Sequence, residues 1–191
     1  NMLPGSNGKI LDWYDLMYNR VNWRDKDKKQ KALTRQQAVA AEIEQINQDF
    51  YIEYQVNKAI RKVRDKQGTI SEVHDDLANG VATEVHHIFP KAEFPELASY
   101  FENLILLTSS QHRQKAHPKS NFHLIDKEYQ LICLMAKSRT VEDYINKYGE
   151  TFYSKKSFLL VVNKGTSSNT LQESDSFNSI RRYIHDYYNQ V

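Results

Sequence analysis

Two stretches decide how this chain reads: Glu84-Val-His-His-Ile-Phe-Pro-Lys91 and Glu102-Asn-Leu-Ile-Leu-Leu-Thr-Ser-Ser-Gln-His-Arg-Gln-Lys-Ala-His117. Val81 to Phe89 is rich in β-branched and aromatic residues, follows the turn dipeptide Asn79-Gly80 and is stopped by Pro90, so it predicts a strand. Leu104 to Leu107 is a short apolar run bounded by Asn103 and the Ser109-Ser110 pair. If either serine caps a helix, His112 lies in its first turn and His117 follows five positions later, just before Pro118. Four of the seven histidines, at 86, 87, 112 and 117, thus fall within 32 residues. Adjacent histidines on a strand point to opposite faces, so one can hold a metal while its neighbour serves another purpose. Neutral imidazole is a good ligand for zinc, nickel, copper and iron, and near its ordinary pKa of about 6.5 it also takes a proton from water. Together they are the ingredients of metal-assisted hydrolysis.

Outward from this segment the periodicity is helical. Ile10, Tyr14, Met17, Tyr18 and Val21 form an amphipathic stripe, followed by a polar loop or helix end over 24–31. Thr34-Arg-Gln-Gln37 has capping-box form, and the apolar rhythm behind it predicts one long helix or two joined ones over 35–66, ended by Gly68. Asp126 is placed to cap a helix carrying Tyr129, Ile132, Cys133 and Ala136. Thr140-Val-Glu-Asp143 is read as starting another that ends at Gly149. Phe158 to Val162 is read as a second strand, 163–176 as a loose polar loop, and Phe177, Ile180, Ile184 and Tyr187 as a last helix. The expected class is α+β, mostly α-helical.

Composition narrows the function classes. In 191 residues, 40% apolar content supports a core and excludes wholesale disorder. Net charge is only +2 and names no partner by itself. A single cysteine, Cys133, excludes an intramolecular disulfide framework and zinc sites built on paired cysteines; within Leu-Ile-Cys-Leu-Met it reads as a small buried hydrophobe. No apolar run approaches a membrane span and no signal-peptide pattern opens the chain, so the expected location is the cytoplasm. The start at Asn1 rather than Met suggests a tagged chain or a piece of a longer one.

The segment 81–118, about a fifth of the chain, resembles the HNH endonuclease family, the ββα-metal nucleases. The likeness lies in the His-His-Ile-x-Pro opening, the central Asn103-Leu-Ile-Leu-Leu and the closing His112-Arg-Gln-Lys115. The spacing, 16 positions from His87 to Asn103 and nine from Asn103 to His112, agrees as well. The resemblance implies a helical scaffold around a small ββα-metal motif. It makes His87 the general base, His86 and His112 metal ligands, and Asn103 a hydrogen-bonding brace across the loop. In colicin-type members a third histidine ligand stands four residues after the second; here that position is Ala116, so His117 needs a tightened or distorted turn to serve. Paired structural cysteines of many members are absent, which leaves support of the motif to the flanking helices. The implied products carry a 5′-phosphate and a 3′-hydroxyl. Magnesium is the first expected cofactor, with manganese, nickel and zinc as alternatives.

Three regions follow: 1–80, helical, with a candidate DNA-binding arm; 81–118, the nuclease motif; and 119–191, mainly helical, packing on the core. Arg113 and Lys115 are candidates to bind phosphate, although an ideal wheel sets them about 160° apart. Residues 20–35 carry a net charge of +5 and 58–66 a net +4, against −6 over 71–102. This pattern reads either as a basic nucleic-acid arm beside an acidic metal-site region or as solvated helix faces. Trp13, Tyr14, Tyr18 and Trp23 read as core, as do His123 and His185 as structural groups; His74, beside Asp75 and Asp76, reads as a solvated turn. The function expected is a metal-dependent DNA endonuclease of restriction type, which a homodimer would equip to cut both strands. The alternatives are a nicking or nonspecific nuclease domain of a larger defence or repair protein, and a non-catalytic metal- or nucleic-acid-binding module. RNA remains open as a substrate, because the same chemistry attacks either polymer.

Overall fold

The computed structural model describes residues 35–117 and 126–190. The chain divides into two units, 1–50 and 51–191, and apart from the helical residues 35–50 everything below concerns the second. The readings made for 10–31, for the Thr34 cap and for His123 lie outside the described residues. Among the described residues, five helices accompany one two-stranded sheet: α1 (Arg35–Gln67), β1 (Ala82–His87), β2 (Leu104–Thr108), α2 (Ser109–Gln111), α3 (Lys127–Tyr148), α4 (Lys155–Gly165) and α5 (Phe177–Asn189). Short 3₁₀ turns at Pro95–Leu97 and Phe101–Asn103 shape the loop between the strands. A mostly helical mixed α and β architecture therefore stands. Among the described residues no helix is long and apolar enough to cross a membrane.

The strands pair antiparallel, with His86 opposite Ile105 and His87 opposite Leu104, and a bulge between Ala82 and Glu84. Every residue of β2 is buried, because both faces of the sheet are covered. Cross-strand neighbours share a face. Leu104 and Val85 lie against α1, which contributes Ala59 and Val63. Ile105 and Leu107 enter the main core with Leu134 and Cys133 of α3, Phe158 and Val162 of α4, and Ile180 and Ile184 of α5. The segment before β1 runs along β2: Glu72 N donates to Leu106 O at 3.0 Å, and Leu106 N donates to Glu72 Oε1 at 2.9 Å. The same carboxylate holds the fully buried Lys137 ammonium at 3.0 Å, with the Tyr153 hydroxyl also 3.0 Å from that ammonium. Burial pulls the Lys137 pKa down, but Glu72 and Tyr153 outweigh it and the ammonium is stabilised.

Four expectations need correction. Phe158 to Val162 is not a strand but part of α4. Ser154 caps it by accepting from Ser157 N at 3.0 Å, while Phe158, Leu159, Val161 and Val162 are buried and Leu160 is exposed. A continuous apolar run of five cannot by itself separate a buried strand from a buried helix; the serine cap decides it. No second helix begins at Thr140. α3 runs unbroken from its Asp126 cap to Gly149, because no glycine or proline interrupts it and its buried stripe continues from Lys137 and Ser138 to Val141. The region 163–176 is a loop only from Thr166 onward, and that loop is held rather than loose. Its first residues belong to α4, and Asn163 clamps the rest through Nδ2–H to Leu171 O at 2.9 Å and Oδ1 to Leu171 N at 3.2 Å. The cap of the helix carrying His112 is neither Ser109 nor Ser110 but Thr108, in a reciprocal capping box with Gln111.

Candidate metal centre and the adjoining histidine

After Gln111 the chain widens into a π-helical turn, His112–Ala116, closed by His117 N–H donating to His112 O at 3.1 Å. An i→i+5 bond brings a residue five positions on over its start, where an ordinary α-turn would bring Ala116. The turn that His117 requires is therefore distorted by widening rather than tightening. β1 delivers His86 to the same point. One ligand atom from each of His86, His112 and His117 lies within 4.8 Å of the others. The ring centroids are 5.4, 5.1 and 4.8 Å apart, with the planes crossing at 71°, 78° and 82°.

The local electrostatics keep all three rings neutral. Burial, reinforced by the neighbouring imidazoles His112, His117 and His87, holds His86 down at about 3. Burial also lowers His112, against an opposing pull from Glu84, and lowers His117, with His112 adding to it. A neutral ring is the form that has a lone pair for a cation. The donor set thus fits a borderline transition metal better than magnesium, which prefers oxygen ligands.

His87 lies outside this cluster but lines the same cleft, of about 250 Å³, with Lys91 at its exposed rim. Its Nε2 is 3.0 Å from Ala98 O. A carbonyl oxygen can only accept, so Nε2 carries the proton and Nδ1 keeps the lone pair. Burial lowers the His87 pKa, the Ala98 carbonyl partly restores it, and Lys91 lowers it further; the ring is neutral at pH 7.

Asn103 braces the loop that follows His87. It is fully buried; its Oδ1 accepts from Phe89 N at 2.8 Å, and its Nδ2 donates to Phe89 O at 2.9 Å and Leu97 O at 3.2 Å. Its main-chain oxygen accepts from Ile88 N at 2.9 Å. Arg113 is exposed, and Lys115 is ion-paired to Asp76 at 3.0 Å; neither lines the cleft. His74 is exposed, and His185 of α5 stands beside Asp186 and Asn189.

Two supporting residues were missed in the sequence. Gln111, fully buried, accepts from Ser71 Oγ at 2.6 Å and Thr108 N at 2.9 Å, and donates to Val73 O and Asp75 Oδ1, each at 2.8 Å. Its signal was present: Thr108-Ser-Ser-Gln111 has the same capping-box form as Thr34-Arg-Gln-Gln37. Gln130 of α3 donates to Ile88 O at 2.6 Å and accepts from Tyr188 Oη at 2.8 Å, a tertiary contact that no local pattern announces. Comparison with protein-family models, with curated proteins and with solved structures finds no match to this chain.

Proposed function

We propose that this chain is a metal-dependent endonuclease of the HNH type that hydrolyses phosphodiester bonds in DNA. The observation that carries the reading is the convergence of three neutral imidazoles beside a fourth, His87, whose Nε2–H is engaged and whose Nδ1 is left basic. His86, His112 and His117 would hold the cation. When bound, it supplies Lewis acidity towards a phosphodiester oxygen, offsetting the charge that grows in the transition state.

The protein's own groups do the rest. His87 Nδ1 accepts the proton of a water molecule as that water's oxygen bonds to phosphorus and the P–O3′ bond breaks, the departing 3′ oxygen taking a proton from solvent. The Ala98 carbonyl fixes the tautomer and favours the imidazolium formed on proton transfer, because it hydrogen-bonds to the Nε2–H. Lys91, at the rim, offers an ammonium to a non-bridging phosphate oxygen. Asn103 and Gln130 hold the Ile88–Phe89 backbone that follows the base. The three-imidazole set favours zinc or nickel, then manganese, over the magnesium expected from sequence.

The test is cleavage of supercoiled plasmid by the purified chain with zinc, nickel, manganese or magnesium, against EDTA and His87→Ala controls. Metal-dependent cleavage that disappears in His87→Ala, while that variant still binds metal, supports the mechanism. Equal cleavage by both proteins defeats it. His112→Ala should lose metal affinity and cleavage together.

A further inference from the structure

On α1, Tyr54, Lys58, Lys62 and Lys66 recur every four residues and are all exposed. Each step rises about 6 Å along the helix and turns about 40°, so the four make one slanting row. The row flanks the buried Val56, Ala59 and Val63, of which Ala59 and Val63 fasten this face of the helix to Leu104 and Val85 of the sheet. Each ammonium also lies over an aromatic ring: Lys58 at 6.0 Å from Tyr54, Lys62 at 5.8 Å from Phe101, and Lys66 at 4.7 Å from Tyr144 and 5.2 Å from Tyr148. Phe101 and Phe152 stack at 4.4 Å with planes 6° apart, and Tyr148 is 51% exposed. Among the described residues none of the three lysines is in an ion pair, unlike Lys115 and Lys137. Phe101 opens the 3₁₀ turn that ends in Asn103 and follows three residues after Ala98, whose carbonyl holds His87. The row therefore runs to the loop that fixes the proposed base.

We propose that this lysine–aromatic row on α1, continued by Phe101, Phe152 and Tyr148, is a track for unpaired nucleic acid, so that the preferred substrate presents a single-stranded segment at the cleft; this rests on the nuclease reading above. The lysines follow successive phosphates of an extended strand while the exposed rings of Tyr54 and Tyr148 stack on its bases, with the half-buried Phe101–Phe152 pair as the floor between them. That combination suits single strands, because every base offers a π-face only when it is unpaired. A purely acidic protein partner would use the charges and leave the rings idle.

Binding is measured apart from chemistry, by fluorescence anisotropy in EDTA with a labelled oligothymidylate of about twelve nucleotides, within the span of one typical single-strand site. The Lys58→Gln/Lys62→Gln/Lys66→Gln variant is expected to bind at least about tenfold more weakly. Its log–log salt slope should be shallower by about 2, three contacts at roughly 0.7 each. Tyr148→Ala should lose about fivefold to a hundredfold with the slope unchanged, the signature of stacking. A charge-matched control, Arg139→Gln/Lys156→Gln/Lys164→Gln, should match wild type, and circular dichroism checks that each variant is folded. The proposal is overturned if the α1 variant behaves like the control, if a duplex of equal length binds as tightly as the single strand, or if polyglutamate competes as well as the oligonucleotide. The two proposals fail separately. Metal- and His87-dependent cleavage with lysine-independent binding removes the track alone; lysine-dependent single-strand binding without cleavage removes the nuclease alone.

Discussion

Replacing Asn103 with alanine isolates the brace between the two halves of the motif. The carboxamide makes three hydrogen bonds at 2.8, 2.9 and 3.2 Å to main-chain groups of Phe89 and Leu97, in a position with no solvent exposure. Truncation leaves the Phe89 N–H without its acceptor and the Phe89 carbonyl without its donor, while Leu97 O keeps the Tyr100 N–H at 3.1 Å. An orphaned buried polar group costs about 1–3 kcal/mol, with the N–H at the upper end and the carbonyl at the lower. The sum, about 3–5 kcal/mol, is a large part of the roughly 5–15 kcal/mol that holds a domain folded. Urea unfolding followed by far-ultraviolet circular dichroism reads it directly. Asn103→Asp retains the acceptor for Phe89 N–H but sets a carboxylate against the two carbonyls. It should be at least as damaging at pH 7 and recover partly on acidification, when the protonated acid can donate once. Because Asn103 touches none of the three clustered histidines, a variant that still folds should lose cleavage more than metal affinity. A midpoint for Asn103→Ala within about 1 kcal/mol of wild type would refute the reasoning, since a buried N–H cannot lose its acceptor at so little cost.

Other perturbations test separate parts of the structure. A Cβ at Gly165 would collide with the Phe89 ring, so Gly165→Ala should cost at least about 1–3 kcal/mol by overpacking, with partial rescue by Phe89→Leu; an unchanged melting temperature would deny the close approach. Glu72→Gln keeps an acceptor for Leu106 N but leaves the Lys137 ammonium buried without its counter-charge. A loss of about 3–5 kcal/mol is expected in urea, largely recovered when Lys137→Met is added. In metal-free protein the lowered pKa values of His86, His87, His112 and His117 mean that the unfolded chain binds more protons below about pH 6.5, so stability falls as pH falls through that window. His86 alone, held at about 3, accounts for about 2 kcal/mol by pH 5, while protonation of Glu102, whose carboxyl burial raises, works in the opposite sense. Urea midpoints that stay flat from pH 7 to 5 would contradict this. Zinc at about a hundred times its Kd should raise stability by about 2.7 kcal/mol without added helix, and EDTA or His112→Ala should abolish the gain. A large rise in helicity on adding zinc would mean that the ligands are not pre-assembled.

The legible parts of the sequence are those where local chemistry and tertiary structure agree. Val81 to Phe89 reads as a strand because a turn, β-branched residues and a proline bound it, and β1 spans Ala82–His87 within it. Asp126, Gly149 and Gly68 mark helix ends as their side chains, or lack of one, dictate. Cys133 is buried as expected. The clustering of His86, His112 and His117 was legible only as three ligand types in order; the π-turn that joins the last two has no signature in His-Arg-Gln-Lys-Ala-His. That Lys115, a candidate phosphate contact in the sequence, pairs with Asp76 could not be seen there, because the two lie thirty-nine residues apart and only the fold brings them together. Lys137 and Glu72 escaped notice for the same reason: a lone lysine in a helix reads as solvated until a carboxylate sixty-five residues away is brought beside it.

The braces around the cleft share a chemistry that bears on the proposed metal site. Asn103, Gln111 and Gln130 are all buried carboxamides, and each ties together segments distant in sequence. A carboxylate could accept the same N–H bonds but could not donate to the carbonyls of Phe89, Val73 or Ile88. It would also favour the charged form of any imidazole near it, and a protonated ring has no lone pair for a cation. Glu84 displays that pull, since it is the group that raises His112 against the lowering by burial. Neutral amides can fix the backbone around four histidines without supplying the negative charge that would protonate them. Uncharged braces at these three positions are therefore compatible with the proposed cation site and with the proposed base at His87.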